Sequence, residues 1–494
     1  MAVGIQSLPL EIVAHILGFL PSFHDLNSAT LVSAKFNNAF QVGKQSILIS
    51  VLISTISPDA EADFVLAYRA QKVWQLTAKT EGRSKNWDDI YYDSQGVQVD
   101  PTNVWTREDM EGLDIIYLAI LNEFQAEQRE GIYDLFATCP ETISFSSLHR
   151  FYSRFNYFLN SFKTRALAAL ALDETPALPT QSFDEKPTSL PQSLYETQAL
   201  SPLASVPSLS SMERARLQRA FFRTEIYFCL LECSSLLCRP EYINQFTRSL
   251  LFPWELEEIE SIVQFYLFRI WELLDRIDLD FIELVKQKLR DGRYDGDNLV
   301  NRIKSILEMA NLQYFGHIRH RRDRCETFAS RGTLAIYTLL TAPLPISRRM
   351  LLRSPSNFRN FNAHGLSLLP GLDYQISIPM ESKFESNSIN STNFGWRWAY
   401  KGQHHSNAHQ HCFLRDKGYL FWDDARFIGL LTFAAPCDIN PHLDFWGRYD
   451  DLPSAVEKLG DPVVNLDMLE EISNIYLNED DDMSGIERWI QRDG

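Results

Sequence analysis

The sequence predicts a mostly α protein, with a short three-helix unit at the N terminus and a larger irregular helical domain with few or no strands. Three observations predict this. Apolar residues recur at three- and four-residue steps over long stretches, as in Leu8, Ile12, Ile16 and Leu20, and again in Phe151, Phe155, Phe158, Leu159 and Phe162. Helix-start signals precede several of these stretches: Thr106 to Asp109 and Ser210 to Glu213 both read as capping boxes. No internal period of roughly 20 to 50 residues is visible, which excludes leucine-rich, propeller and ankyrin arrays.

The first helix opens near Pro9, which suits a first-turn position, with Ser7 as N-cap and Glu11 in the electropositive first turn. Val13 and Leu17 widen its apolar stripe, and Pro21 stops it. A second helix fits Asp25 to Ser33 and a third Ala34 to Gly43. Three short helices cannot bury all this apolar surface among themselves, so the excess needs a partner or the rest of the chain. The apolar run Ile47 to Ile56 is too short to span a bilayer and reads as a buried helix continuing from this unit.

Helices are expected from Ser57 to about Trp74, from Thr106 through Phe124, and from Ser146 to Leu172. Residues 173–209 hold six prolines among many Ser and Thr and read as a linker or loop. Beyond it, helices fit Ser210 to Leu237, Pro253 to Leu273, and residues 278–290, 297–313 and 317–341. Lys417 to Phe427 opens a last packed element, and an acidic run at Glu479 to Asp482 precedes the tail. The organisation is therefore an N-terminal unit at 1–45, a helical domain at 46–172 and 210–450 interrupted by the 173–209 linker, and an acidic segment at 451–494.

Composition narrows the function. The 494 residues are 45% hydrophobic, so the chain can bury a large core. Asp and Glu number 64 against 47 Lys and Arg, a net charge of −17, which argues against nucleic-acid or anionic-membrane binding. Seven scattered cysteines make no disulfide framework, and the first residues carry no secretion-signal pattern, so a cytoplasmic or nuclear setting is expected.

The N-terminal segment resembles the F-box. The family pattern is filled by Leu8-Pro9, Glu11, Ile12, Ile16-Leu17, Leu20-Pro21, Asp25-Leu26, Val32-Ser33 and Phe36. The late aromatic is commonly Trp and here is Phe36; the basic residue that often follows is Asn37. The resemblance implies that Leu8, Pro9, Ile12, Ile16, Leu17, Leu20, Pro21, Leu26, Leu31, Val32 and Phe36 serve the small Skp adaptor of cullin ubiquitin ligases. The rest of the chain would then select a protein client. Two later segments, Pro253 to Glu258 and Gly418 to Asp423, are similar to landmarks of filamentous-fungal F-box proteins. A scaffold role without ubiquitination is the alternative within that resemblance.

Other motifs favour structural readings. His404, His405, His409, His411 and Cys412 lack a second cysteine pair, so a polar loop is expected rather than a zinc cage. Cys229, Cys233 and Cys238 sit among apolar neighbours and read as core thiols. Asp88, Asp89 and Asp93 evoke a magnesium-dependent α-helical enzyme, but the second motif such enzymes need is off phase: Asn301 and Ser305 are followed by Glu308, one residue early. His317 to Arg324 is the one basic cluster and reads as a solvated face. No phosphate loop, nucleophile elbow, zinc-protease helix or dinucleotide glycine pattern is present. Neither catalytic residues, a metal site nor a cofactor is expected.

Overall fold

A computed structural model describes residues 7–80, 107–126, 130–138, 143–171, 208–236, 245–290, 332–344 and 417–431, with positions 243, 325–326, 328–329, 347, 395 and 415. This described part is 86% helical and holds no strand. The helices are α1 (Leu10–Gly18), α2 (Phe23–Val32), α3 (Ala34–Thr55), α4 (Glu61–Thr80), α5 (Arg107–Gln125), α6 (Ile132–Thr138), α7 (Phe145–Ala171), α8 (Ser211–Leu236), α9 (Pro253–Arg290), α10 (Gly332–Thr341) and α11 (Asp424–Leu431).

Local chemistry sets most helix starts. Ser22 caps α2, its hydroxyl accepting from the Asp25 N–H at 3.1 Å. Ser33, in extended backbone, ends α2 and caps α3 through the Phe36 N–H, making a sharp corner from one residue. The expected capping box at Ser210 and Glu213 forms in both directions, at 3.1 and 3.0 Å. Pro253 is the first residue of α9, as expected.

Three expectations need correction. Pro9 is itself the N-cap of α1, with no side-chain cap, so Ser7 does not cap it. The third helix does not end at Gly43. It kinks there and runs on to Thr55, because α1 lies so close that a Cβ on Gly43 would stand 2.9 Å from that of Ala14. The helices expected up to Leu273 and over 278–290 are one helix, α9. The short α6 escaped the sequence reading altogether.

Helix α8 is the axis of the body. Every residue from Ala215 to Leu231 is buried, and α4, α5, α7, α9 and α10 pack around it. A helix buried all round cannot show one apolar stripe, and α8 instead carries charges that its neighbours pair. Arg219 meets Glu258 of α9 at 2.6 Å, and Arg223 bridges Asp63 of α4 and Glu255 of α9. Glu225 accepts from Gln71 of α4, which accepts from Arg154 of α7; its other oxygen takes the Thr333 N–H of α10. The rest of the core is aromatic: Phe158 and Phe162 of α7, Phe221 of α8, and Phe265 and Tyr266 of α9 meet mostly edge to face.

The segment 417–431 packs as a clasp. Tyr419, Leu420, Phe421, Trp422 and Phe427 are buried, and Gly418 takes the left-handed conformation (φ +66°) beneath the Trp422 ring. Arg415 grips Glu257 with two hydrogen bonds of 2.7 and 2.6 Å, while Arg426 grips Glu213. The Asp88 to Asp93 cluster, Asn301 to Glu308, the His317 to Arg324 cluster, the His404 to Cys412 cluster, nearly all of the 173–209 linker and the 451–494 segment lie outside the described residues. So do the side chains of Cys233 and Cys238; Cys229 is buried and forms no disulfide.

Candidate functional site

The N-terminal hairpin packs on the body by one side only. Val13, Ala14 and Leu17 of α1 turn inward onto α3, and Phe23 and Leu26 of α2 are fully enclosed. Phe23 and Phe40 then seat on α7, where Phe145, His149 and Tyr152 receive them at ring separations of 5.1 to 6.4 Å. Below this, the α3 residues Ile47, Leu48, Val51 and Leu52 are buried.

The other side is bare. Ile12, Ile16 and Phe19 follow one another at steps of four and three residues, so they share a face of α1, and all three are exposed. At the end of α2, Leu31 and Val32 stand out as well. Phe19 is 74% exposed, Leu31 78% and Val32 74%. The His15 and Phe19 rings meet in a T-shaped arrangement, 4.8 Å between centres.

The residues expected to serve a partner therefore divide. Ile12 and Ile16 lie on the exposed side of α1, and Leu31 and Val32 are exposed at the end of α2. Pro9 and Pro21 are exposed at the two ends of α1. Leu8, Leu20 and Phe36 are half-buried against the core. Leu17 and Leu26 are interior and support the hairpin rather than line its surface. Phe19 was missed: a four-residue period runs through Leu8, Ile12, Ile16 and Leu20, whereas the exposed face follows the step from Ile16 to Phe19.

The face is apolar and electrically quiet. Residues 1–56 contain two acidic residues, Glu11 and Asp25, and two basic ones, Lys35 and Lys44, within a chain of net charge −17. Such a surface offers little long-range steering and gains chiefly by losing water. A fully exposed aliphatic gains about 1.5–3 kcal/mol on full burial, and Ile12 and Ile16, already partly covered, gain less.

Among the described residues no group of three or more His, Cys, Asp or Glu could hold a metal ion, and no single helix is long and apolar enough to cross a membrane. Among the buried acids, Glu255 is held below the usual carboxylate range: burial opposes this, but Arg223 and Arg219 outweigh it. Its role is to tie α9 to α8. Comparison with known proteins found no matching family model, curated protein or solved structure.

Proposed function

We propose that this chain is a substrate-recognition adaptor of a cullin ubiquitin ligase, working in the cytoplasm or nucleus. Its N-terminal hairpin, which resembles an F-box, docks on the small Skp adaptor, and the helical body presents a protein client. The observation that carries the reading is the exposure of Ile12, Ile16 and Phe19 along α1 and of Leu31 and Val32 at the end of α2, while the inner residues of both helices are buried. In this reading the chain performs no chemistry. It raises the client's effective concentration beside the ubiquitin-carrying enzyme, and a hairpin fixed to the body makes that placement reproducible.

The test uses the full chain co-expressed with a Skp subunit. Ile12 and Ile16 are 48% and 38% exposed, so the double substitution Ile12→Ser with Ile16→Ser costs modest packing, and circular dichroism checks that the fold persists. It is expected to abolish co-purification of the Skp subunit. Retained binding by this variant, or no binding by the wild type, overturns the proposal.

A further inference from the structure

Four arginines are buried among the described residues: Arg154, Arg216, Arg219 and Arg223. Three of them meet carboxylates. Arg216 reaches Asp423 at 3.1 Å, Arg219 reaches Glu258 at 2.6 Å, and Arg223 lies between Asp63 and Glu255 at 3.1 and 2.5 Å. Arg154 of α7, only 6% exposed, forms no ion pair with a described carboxylate. Its Nη2 donates to the Gln71 side-chain oxygen at 2.7 Å, and its Nε is buried without a hydrogen-bond partner. A buried charge that lacks a direct counter-charge and leaves a donor unused is costly to keep.

The charges around Arg154 do not cancel. Glu225 is held one side chain away, its Oε1 accepting from the Gln71 Nε2 at 3.0 Å and its Oε2 taking the Thr333 N–H at 3.2 Å. Arg150, one turn earlier on α7, adds a second positive charge, and Tyr337 of α10 stands nearby. Burial lowers Arg154 to about 10; Glu225 opposes this and Arg150 adds to it. Two guanidinium groups against one carboxylate leave one positive charge over. A carboxylate group carries one negative charge, only accepts hydrogen bonds, and pairs strongly with guanidinium N–H groups.

We infer that Arg154 anchors a binding site for a small carboxylate at the junction of α4, α7 and α10. One oxygen of the ligand accepts from the Nε that the fold leaves without a partner. The ligand's charge balances the excess of Arg154 and Arg150 over Glu225, and Gln71 holds the guanidinium in place. The site stands whether or not the N-terminal hairpin binds a Skp subunit, since none of its residues belongs to that hairpin.

The test titrates sodium acetate into the full chain, with sodium chloride at equal ionic strength as control. Nuclear magnetic resonance of arginine-labelled protein follows the Nε–H signals, and Arg154→Met identifies the Arg154 signal by its loss. That signal is expected to shift saturably with acetate and not with chloride, and the thermal midpoint to rise with acetate. Arg154→Met replaces an unpaired buried charge by an apolar chain of similar length, so it is expected to fold, and its midpoint should no longer respond to acetate. Arg150→Gln, which keeps the anchor, should weaken acetate binding several-fold, on the order of one lost charge at partly screened distance. This variant decides the matter if Arg154→Met does not fold. Equal shifts with chloride, a shift that never saturates, an undiminished midpoint response in Arg154→Met, or undiminished affinity in Arg150→Gln overturns the inference. Phosphate binding in preference to acetate overturns the assignment to a carboxylate.

Discussion

The side-chain amide of Gln218 closes on the backbone where the N-terminal hairpin meets the body. It donates to the Thr55 carbonyl at 2.8 Å and accepts from the Ser57 N–H at 2.8 Å. Gln218 lies on the buried axis helix α8, so the last turn of α3 and the turn into α4 are referenced to the centre of the molecule. Gln218→Leu keeps the volume and strands both backbone groups. An unsatisfied buried group costs about 1–3 kcal/mol, so the variant should lose roughly 2–4 kcal/mol. Chemical denaturation measures the loss. Hydrogen exchange at Ser57 should accelerate more than at buried amides of α8, and uniform acceleration would count against a local clamp.

Arg223 is the most committed charge in the core. Burial works against its ionised form, yet Asp63 and Glu255, at 3.1 and 2.5 Å, outweigh that cost and keep it charged. Arg223→Met removes the guanidinium that Asp63 and Glu255 share and leaves both carboxylates buried on α4 and α9. The expected cost is about 3–5 kcal/mol, enough to threaten folding of an average domain. The triple variant Arg223→Met, Asp63→Asn, Glu255→Gln should recover part of this, because none of the three positions then carries a charge. A triple variant no more stable than the single one would show that the arginine acts by shape rather than by charge.

The contrast between those two residues and the helix caps explains what was legible in the sequence. Ser210 with Glu213, and Pro253, act within one helical turn, so their effect is written locally and was read correctly. The α7 stripe of Phe151, Phe155, Phe158 and Phe162 was legible for the same reason: one helix face meets one core. Gln218 and Arg223 reach partners about 160 residues away along the chain, and nothing near them in sequence marks those partners. The exposed apolar side of α1 was half legible. Periodicity marks an apolar side of α1 but not which part a neighbouring helix covers, so Leu17 and Ile16, adjacent in sequence, ended on opposite sides of that boundary. The length of α9 was hidden because its segments were read as separate helices.

The clasp at 415–431 introduces a pH dependence of definite sign. Glu260 gives one oxygen to Arg415 at 3.1 Å, while its Oε2 is buried without a hydrogen bond. Burial raises its carboxyl from the ordinary 4.5 to about 7, with Arg415 opposing and Glu257 adding to the rise. Between those two values the folded state holds more protons than the unfolded one, so this group's contribution to stability falls as pH rises through the window. Glu260→Gln removes the titration, and Arg415 keeps its two bonds to Glu257. His149 works the other way: burial, then His24 and Arg150, lower its value, so its contribution is lost as pH falls below the ordinary 6.5. That term is common to both proteins and cancels when the variant is compared with the wild type. Thermal midpoints measured from about pH 5 to about pH 8 should therefore show Glu260→Gln gaining on the wild type as pH rises, by on the order of 1–3 kcal/mol across the window. Parallel curves would mean that Glu260 is ionised throughout and that Arg415 fully compensates its burial.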